Sequence, residues 1–335
     1  MAVVDRARSG RNFIESLPAG SQSVVGARRE LNPADVVQAA SAYSRAVSNL
    51  PAPLRQAGEE LFANLASTNW QMEWGLPRWL AESRGLPQTV CARLVEANVL
   101  GLGYVRLADD GADGQTGSLD LEETRRLADS LYPAAIAVYE DLIGPNPWFW
   151  QQLERFLTEW RSAGLQVLSV DVLDANHEGL QGLARLGAPL QICVAAVCAL
   201  AGQEEHLARL AAPVNSYLVA SVLIDHLCDW REDLRAGRPN LLVRSLLGEQ
   251  MPGIPIDESQ LRMAEAMLQP GRVNTYLKLA AGELRDAISA SRRERLDGLA
   301  DYLGLFEEET RQTADYLVGE IRSLLRQAAE MLFSH

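Results

Sequence analysis

From Asn32 almost to the C-terminus, apolar residues recur at three- and four-residue intervals. No stretch sustains the two-residue alternation of β-branched side chains that marks a strand. That rhythm predicts an all-α fold. Asn32-Pro33 joins a side-chain cap to a proline at the first helical position, opening a helix to about Ser48. Further helices are predicted over 53–67, 70–84 and 87–104. A Gly/Asp-rich break from Asp109 to Ser118 follows, with a second capping signal over Ser118 to Glu122. Beyond it, helices are predicted over about 119–143, 147–163, 174–202, 204–235, 257–269, 271–293 and 307–333. Gly144-Pro145-Asn146-Pro147 and Met251-Pro252-Gly253-Ile254-Pro255 read as loops between helices rather than domain linkers. Residues 31–335 are therefore read as one all-α domain. Residues 1–30, which mix Gly, Ser, Pro and Arg without a period, are expected to form a flexible N-terminal segment.

Charge narrows the functional classes. A net charge of −13 and a pI near 4.9 argue against nucleic acid as partner, which needs a basic stripe. An acidic surface also repels an anionic ligand at long range. If the ligand is a diphosphate, local cations must invert that field, and divalent metals do so best. Cys91, Cys193, Cys198 and Cys228 lie in apolar helical stretches without a CxxC pair. They read as buried free thiols of a reducing compartment. The opening MAVVDRARSGRNF has no apolar core of a signal peptide, so a cytoplasmic location is expected. Leu186 to Gly202 is the longest weakly polar run, broken by Pro189 and Gln191. It falls short of the roughly 20 residues of a membrane span, and no stable span is expected.

Two carboxylate clusters stand about 115 residues apart. The first, Asp109-Asp110-Gly-Ala-Asp113, is a DDxxD pattern at the end of a predicted helix. The second, Ile224-Asp225-His226-Leu-Cys-Asp229-Trp-Arg-Glu232-Asp233, lies inside a longer apolar helix. A spacing of four puts Asp225 and Asp229 on one face, and Glu232 or Asp233 extends it by a turn. Like charges so spaced destabilise a helix by a few tenths of a kcal/mol, so they ask for a compensating cation. Carboxylate oxygens suit Mg²⁺, an ion usually shared between one or two carboxylates and substrate phosphates. Weighed against this are a solvated turn at Asp109 and a salt-bridged face at Asp225, with Arg231 and Arg235 as partners. An EF-hand loop starting at Asp109 is disfavoured. Its third and ninth positions are Gly111 and Gly117, which offer no side-chain ligand.

The stretch from Arg185 to Leu242, RLGAPLQICVAAVCALAG followed by VASVLIDHLCDWREDLRAGRPNLL, resembles the second half of trans-prenyl diphosphate synthases and related class I terpene synthases. The resemblance implies a single-domain helical bundle around a central apolar cavity. It also implies metal ligation by Asp109, Asp110, Asp113, Asp225, Asp229 and Asp233, with Asp109, Asp110, Asp225 and Asp229 catalytic. Arg185, Arg235, Arg238 and His226 would bind the substrate, a prenyl diphosphate, although His226 stands where the family usually has an aspartate. The implied cofactor is Mg²⁺, in more than one ion, with Mn²⁺ as a substitute. A homodimer is compatible with the resemblance.

The departures from the family pattern select among its activities. Chain-elongating members carry a basic signature near the N-terminus and an Arg-Arg-Gly past the first motif. Here Asp113 is followed by Gly-Gln-Thr-Gly-Ser. The expectation is thus a terpene synthase that ionises one linear substrate, C15 or C20, to a hydrocarbon or alcohol. The alternatives are a prenyltransferase and a non-catalytic isoprenoid-binding relative. Aromatic clusters at Trp70, Trp74 and Trp79 and at Trp148, Phe149 and Trp150 are candidate cavity walls for a cation, or plain core.

Overall fold

A computed structural model describes residues 31–66, 70–114, 116–167, 180, 182–235, 240–247, 262–263, 265–267, 269, 272–312, 319 and 326. The chain starts with α1 (Pro33–Val47), capped as its sequence predicts: the Asn32 side chain accepts from the Ala34 amide at 3.0 Å. Then follow α2 (Ala52–Leu65), α3 (Gln71–Ser83), α4 (Gln88–Asp113), α5 (Leu121–Ile143) and α6 (Pro147–Val167). A 3₁₀ segment (Gly182–Gln191) leads into α7 (Ile192–Ala201), α8 (Leu207–Arg235), α9 (Leu241–Leu247), α10 (Arg272–Arg293) and α11 (residues 297–312). Among the described residues there is no strand. The segment 1–30 and most of 257–271 lie outside the described residues.

Several boundaries differ from expectation. The predicted break at Asp109 does not occur, and α4 continues through Asp113 to end on Gly114, whose φ of 68° is left-handed. Two glycines in five residues read as a break. Only Gly114 is one, because it alone adopts the cap conformation. The same helicity rules out the EF-hand reading, whose ligands must come from an open loop. The second capping signal sits two residues later than predicted, as a capping box in which Asp120 accepts from the Glu123 amide at 2.8 Å and the Asp120 amide donates to Glu123 at 3.0 Å. Within the predicted helix over 174–202, residues 182–201 form a 3₁₀ segment followed by α7, while 174–179 and 181 lie outside the described residues, and α11 starts ten residues before the predicted 307.

Packing explains the 3₁₀ segment. A Cβ at Gly187 would stand 2.4 Å from Leu218 Cδ2, so the segment lies close against α8 and a larger residue there would displace the Leu218 side chain. α4 packs along α5 and is flanked by α1 and α3; α8 packs along α10. One contiguous cluster of buried side chains joins α1 to α11. Every residue from Cys193 to Cys198 in α7 is buried, and α8 is buried on most sides from Leu210 to Leu223. A helix apolar all round must be enclosed by others. This accounts for a result the sequence reading did not anticipate. Gly182–Ala201 and Glu204–Arg231 are both long and apolar enough to cross a membrane, yet 67% of the apolar 18-residue window in each is buried inside the protein.

Candidate functional site

Between α4, α5, α6, the 3₁₀ segment and α8 lies a cavity of about 750 Å³, its open mouth included. Its wall is almost wholly apolar. α4 contributes Ala97, Asn98, Gly101, Leu102, Tyr104 and Val105, while α5 adds Tyr132, Ala135, Ile136 and Tyr139. The remaining wall includes Leu153, Leu157, Leu186, Pro189, Leu190 and Leu218. Glu73, at the start of α3, also lines it. Tyr104 and Tyr132 pack at a tilt of 42° with ring centres 4.9 Å apart, and Trp160 meets Tyr104 edge-on at 6.1 Å. Burial pushes the phenols of Tyr132 and Tyr139 up from their ordinary value, well up for Tyr139, so both stay neutral near pH 7.

Helix geometry sorts the first acidic cluster. Asp109 is one turn beyond Val105 and two beyond Gly101, on the flank of α4 that walls the cavity. Asp113 is one turn further on the same side, and its side chain lies outside the described residues. Asp110 points elsewhere. With Arg106, one turn before it, it lines a separate polar cleft against α2, beside Glu60 and Asn64. Arg106 donates to Asp110 at 3.2 Å, both side chains being largely buried. The two adjacent aspartates therefore face different spaces.

The second cluster is organised along α8. Asp225 and Asp229 follow the cavity-lining Leu218 at seven and eleven residues, which returns them to its face. Both are half-buried. Asp233 extends the face and is held: buried Asn240 donates to it at 2.8 Å and to the His226 carbonyl at 2.9 Å, and accepts from the Val243 amide at 3.1 Å. Asn240 thus ties the end of α8 to the start of α9. His226 is buried against Tyr276 of α10, whose hydroxyl is 3.4 Å from Nδ1. Burial pushes its imidazole down to about 3, so the ring is neutral at pH 7. Tyr276 is raised well above its ordinary value by burial and then by the nearby Asp225 carboxylate. Cys228 is raised likewise by burial, with Asp229 and Asp225 adding to it.

Arg185 is exposed on the 3₁₀ segment, next to cavity-lining Leu186, and Arg235 is exposed at the last turn of α8. Arg238 lies outside the described residues. Among the described residues, no group of three or more His, Cys, Asp or Glu converges on a point that could hold a metal ion. The donor set, carboxylate pairs one turn apart on two separate helices, fits an ion shared with a phosphate-bearing ligand better than a cage made by protein alone.

The aromatic expectation is redirected. Trp70 lines the polar cleft, Trp74 and Trp79 line a third cleft between α3 and α11, and Phe149 is fully buried. Tyrosines wall the cavity instead. Their signal was in the sequence, since Tyr104 shares its helix with Asp109 at five residues' distance. Glu73 and Asn98 were not singled out either, and Glu73 sits conspicuously between Met72 and Trp74.

The all-helical architecture resembles a prenyl diphosphate synthase fold. The structure is similar to the crystal structure of a decaprenyl diphosphate synthase from Rhodobacter capsulatus, with a TM-score of 0.60 and 14% sequence identity over 86% of this chain and 96% of that one. At that identity the likeness shows the fold. No protein-family model matches the sequence, and no curated protein sequence matches it.

Proposed function

We propose that the chain is a Mg²⁺-dependent enzyme that ionises a prenyl diphosphate, acting as a class I terpene synthase. The observation that carries this is the alignment of acid with wall. Asp109 on α4, and Asp225 and Asp229 on α8, each continue a helix face that lines one apolar cavity. An amphiphile with an apolar chain and an anionic head is the ligand such a surface suits. In this reading the two acidic faces share the mouth of the cavity, and the chain of the substrate lies against Gly101, Leu102, Val105 and Leu218.

Asp109, Asp113, Asp225 and Asp229 would hold the metal, with Asp233 anchored behind them by Asn240. Bound there, Mg²⁺ supplies Lewis-acid neutralisation of the charge on the leaving diphosphate. Arg185, Arg235 and Arg238 bind the diphosphate oxygens, which guanidinium forks suit. His226, neutral and buried against Tyr276, supports the helix and does not contact the substrate. The apolar wall excludes water from the allylic cation, and the tyrosine faces attract it by about 0.5–2 kcal/mol each.

The fold likeness favours one second reading, transfer of the prenyl unit to an acceptor. Diphosphate release from C10, C15, C20 and C25 prenyl diphosphates, with Mg²⁺ and with chelator, tests both. Metal-dependent release with a hydrocarbon or alcohol product from a single substrate supports the synthase. Release only when isopentenyl diphosphate is added supports the transferase. No release under either condition from folded protein rejects the ionising reading.

A further inference from the structure

We infer that Glu73 is the proton acceptor that ends the reaction in the central cavity, an inference that rests on the ionising function proposed above. Glu73 is 5% exposed, on the first turn of α3, and among the described residues that line the cavity it is the one carboxylate. Its backbone carbonyl accepts from the Asn98 side chain at 2.6 Å, which fixes the first turn of α3 at the level of Asn98 on α4. Asn98 precedes Asp109 by eleven residues, so at 1.5 Å per residue Glu73 is set about 16 Å along α4 from the acidic rim. The carboxylate therefore stands deep beside the hydrocarbon part of a bound chain, away from its diphosphate head. The rest of the lining offers apolar side chains, one amide and three tyrosines, and the two tyrosines whose phenols burial raises are poor proton acceptors.

The step balances. Ionisation breaks the allylic C–O bond and sends its electron pair away with diphosphate, leaving a carbocation. Glu73 then takes a proton from a carbon adjacent to the cationic centre. The electrons of that C–H bond form the new C=C bond, and the carboxylate becomes a carboxylic acid. The proton passes afterwards to solvent or to the departing diphosphate. The product is a hydrocarbon, where water capture would have given an alcohol. An ionised Glu73 would be stabilised by a positive charge arriving next to it, so in this proposal the site favours a cation placed at this depth over a neutral carbon.

The test compares two probes on the full chain: a prenyl amine whose ammonium centre mimics the cation, and the neutral hydrocarbon of the same shape. Wild type is expected to prefer the ammonium. Glu73→Gln, which keeps the shape and removes the charge, is expected to lose that preference by about tenfold, or about 1.4 kcal/mol, with the neutral probe little changed. With substrate, the same variant continues to release diphosphate while its product shifts from hydrocarbon to alcohol. Glu73→Asp keeps a carboxylate and restores part of the ammonium preference, and it carries the test should the glutamine variant fail to fold. An unchanged ammonium preference in Glu73→Gln overturns the inference, as does equal loss of both probes with native helicity. If wild type binds neither probe and releases no diphosphate, the ionising function itself falls, and this inference with it.

Discussion

The acidic ends of α4 and α8 carry similar patterns and are built differently. On α4 the cluster follows a helix buried from Leu94 to Leu100 and sits on its last, half-buried turns. Asp109 continues the helix face that lines the cavity, Asp110 is turned into a separate cleft with Arg106, and Gly114 closes the helix in the left-handed conformation. On α8 the acids lie within an almost wholly buried helix, and their far end is fastened to α9 through Asn240. Adjacent aspartates diverge by about 100°, whereas aspartates four apart align. The α4 pair therefore separates and the α8 series stays together. A run of acids is a site only along the face it shares.

The sharpest way to break this comparison is at α8. Asp225→Asn is expected to lower metal-dependent diphosphate release at least about 100-fold, with the helical circular dichroism unchanged. Retained turnover removes Asp225 from the reaction. The α4 pair comes next. Asp109→Asn is expected to cost about 10- to 100-fold in activity or metal affinity. Asp110→Asn, which loosens an ion pair facing another cleft, should change activity by no more than about threefold. Equal losses at the two positions would show that the divergence of their side chains has no functional weight.

Stability probes the fastening. Asn240→Ala removes the donor shared by the Asp233 carboxylate and the His226 carbonyl, and takes from the buried Val243 amide the acceptor that caps α9. A loss of about 1–3 kcal/mol follows from an unsatisfied buried group, read as a lower urea midpoint. A midpoint equal to wild type would mean that the junction of α8 and α9 does not depend on this side chain. The smallest effect is expected at the free end of α4. A Cβ at Gly114 meets nothing within 4 Å, so Gly114→Ala costs only the left-handed backbone, about 1 kcal/mol. A loss well above that would indicate a tighter surrounding than the geometry gives.

Much of the fold was legible because helices are local. Asn32-Pro33 predicted the start of α1, and the loops around Gly144 fell where expected. What failed was punctuation. Gly111 looked like a break beside Gly114, and the stretch before α7 looked like a plain helix. In the first case the helix tolerates one glycine and ends on the next. In the second, the close approach of Gly187 to Leu218, thirty-one residues away, decides the local conformation. Of the two aromatic readings, plain core rather than cavity wall holds for Trp70, Trp74 and Phe149, for a related reason. Tryptophan-rich segments advertise a buried surface, but their partners are chosen by distant helices, and these place the tryptophans in other clefts and in the core.

The sequence by itself determined the helical class and which acids share a face, because both follow from the covalent 3.6-residue period. Only the tertiary structure decided which of those faces looks into a cavity. It also decided that tyrosines and Glu73 line that cavity and that His226 is sealed against Tyr276. Those outcomes depend on how helices far apart in the chain pack together, and a single helix carries its own faces without recording what each of them will meet.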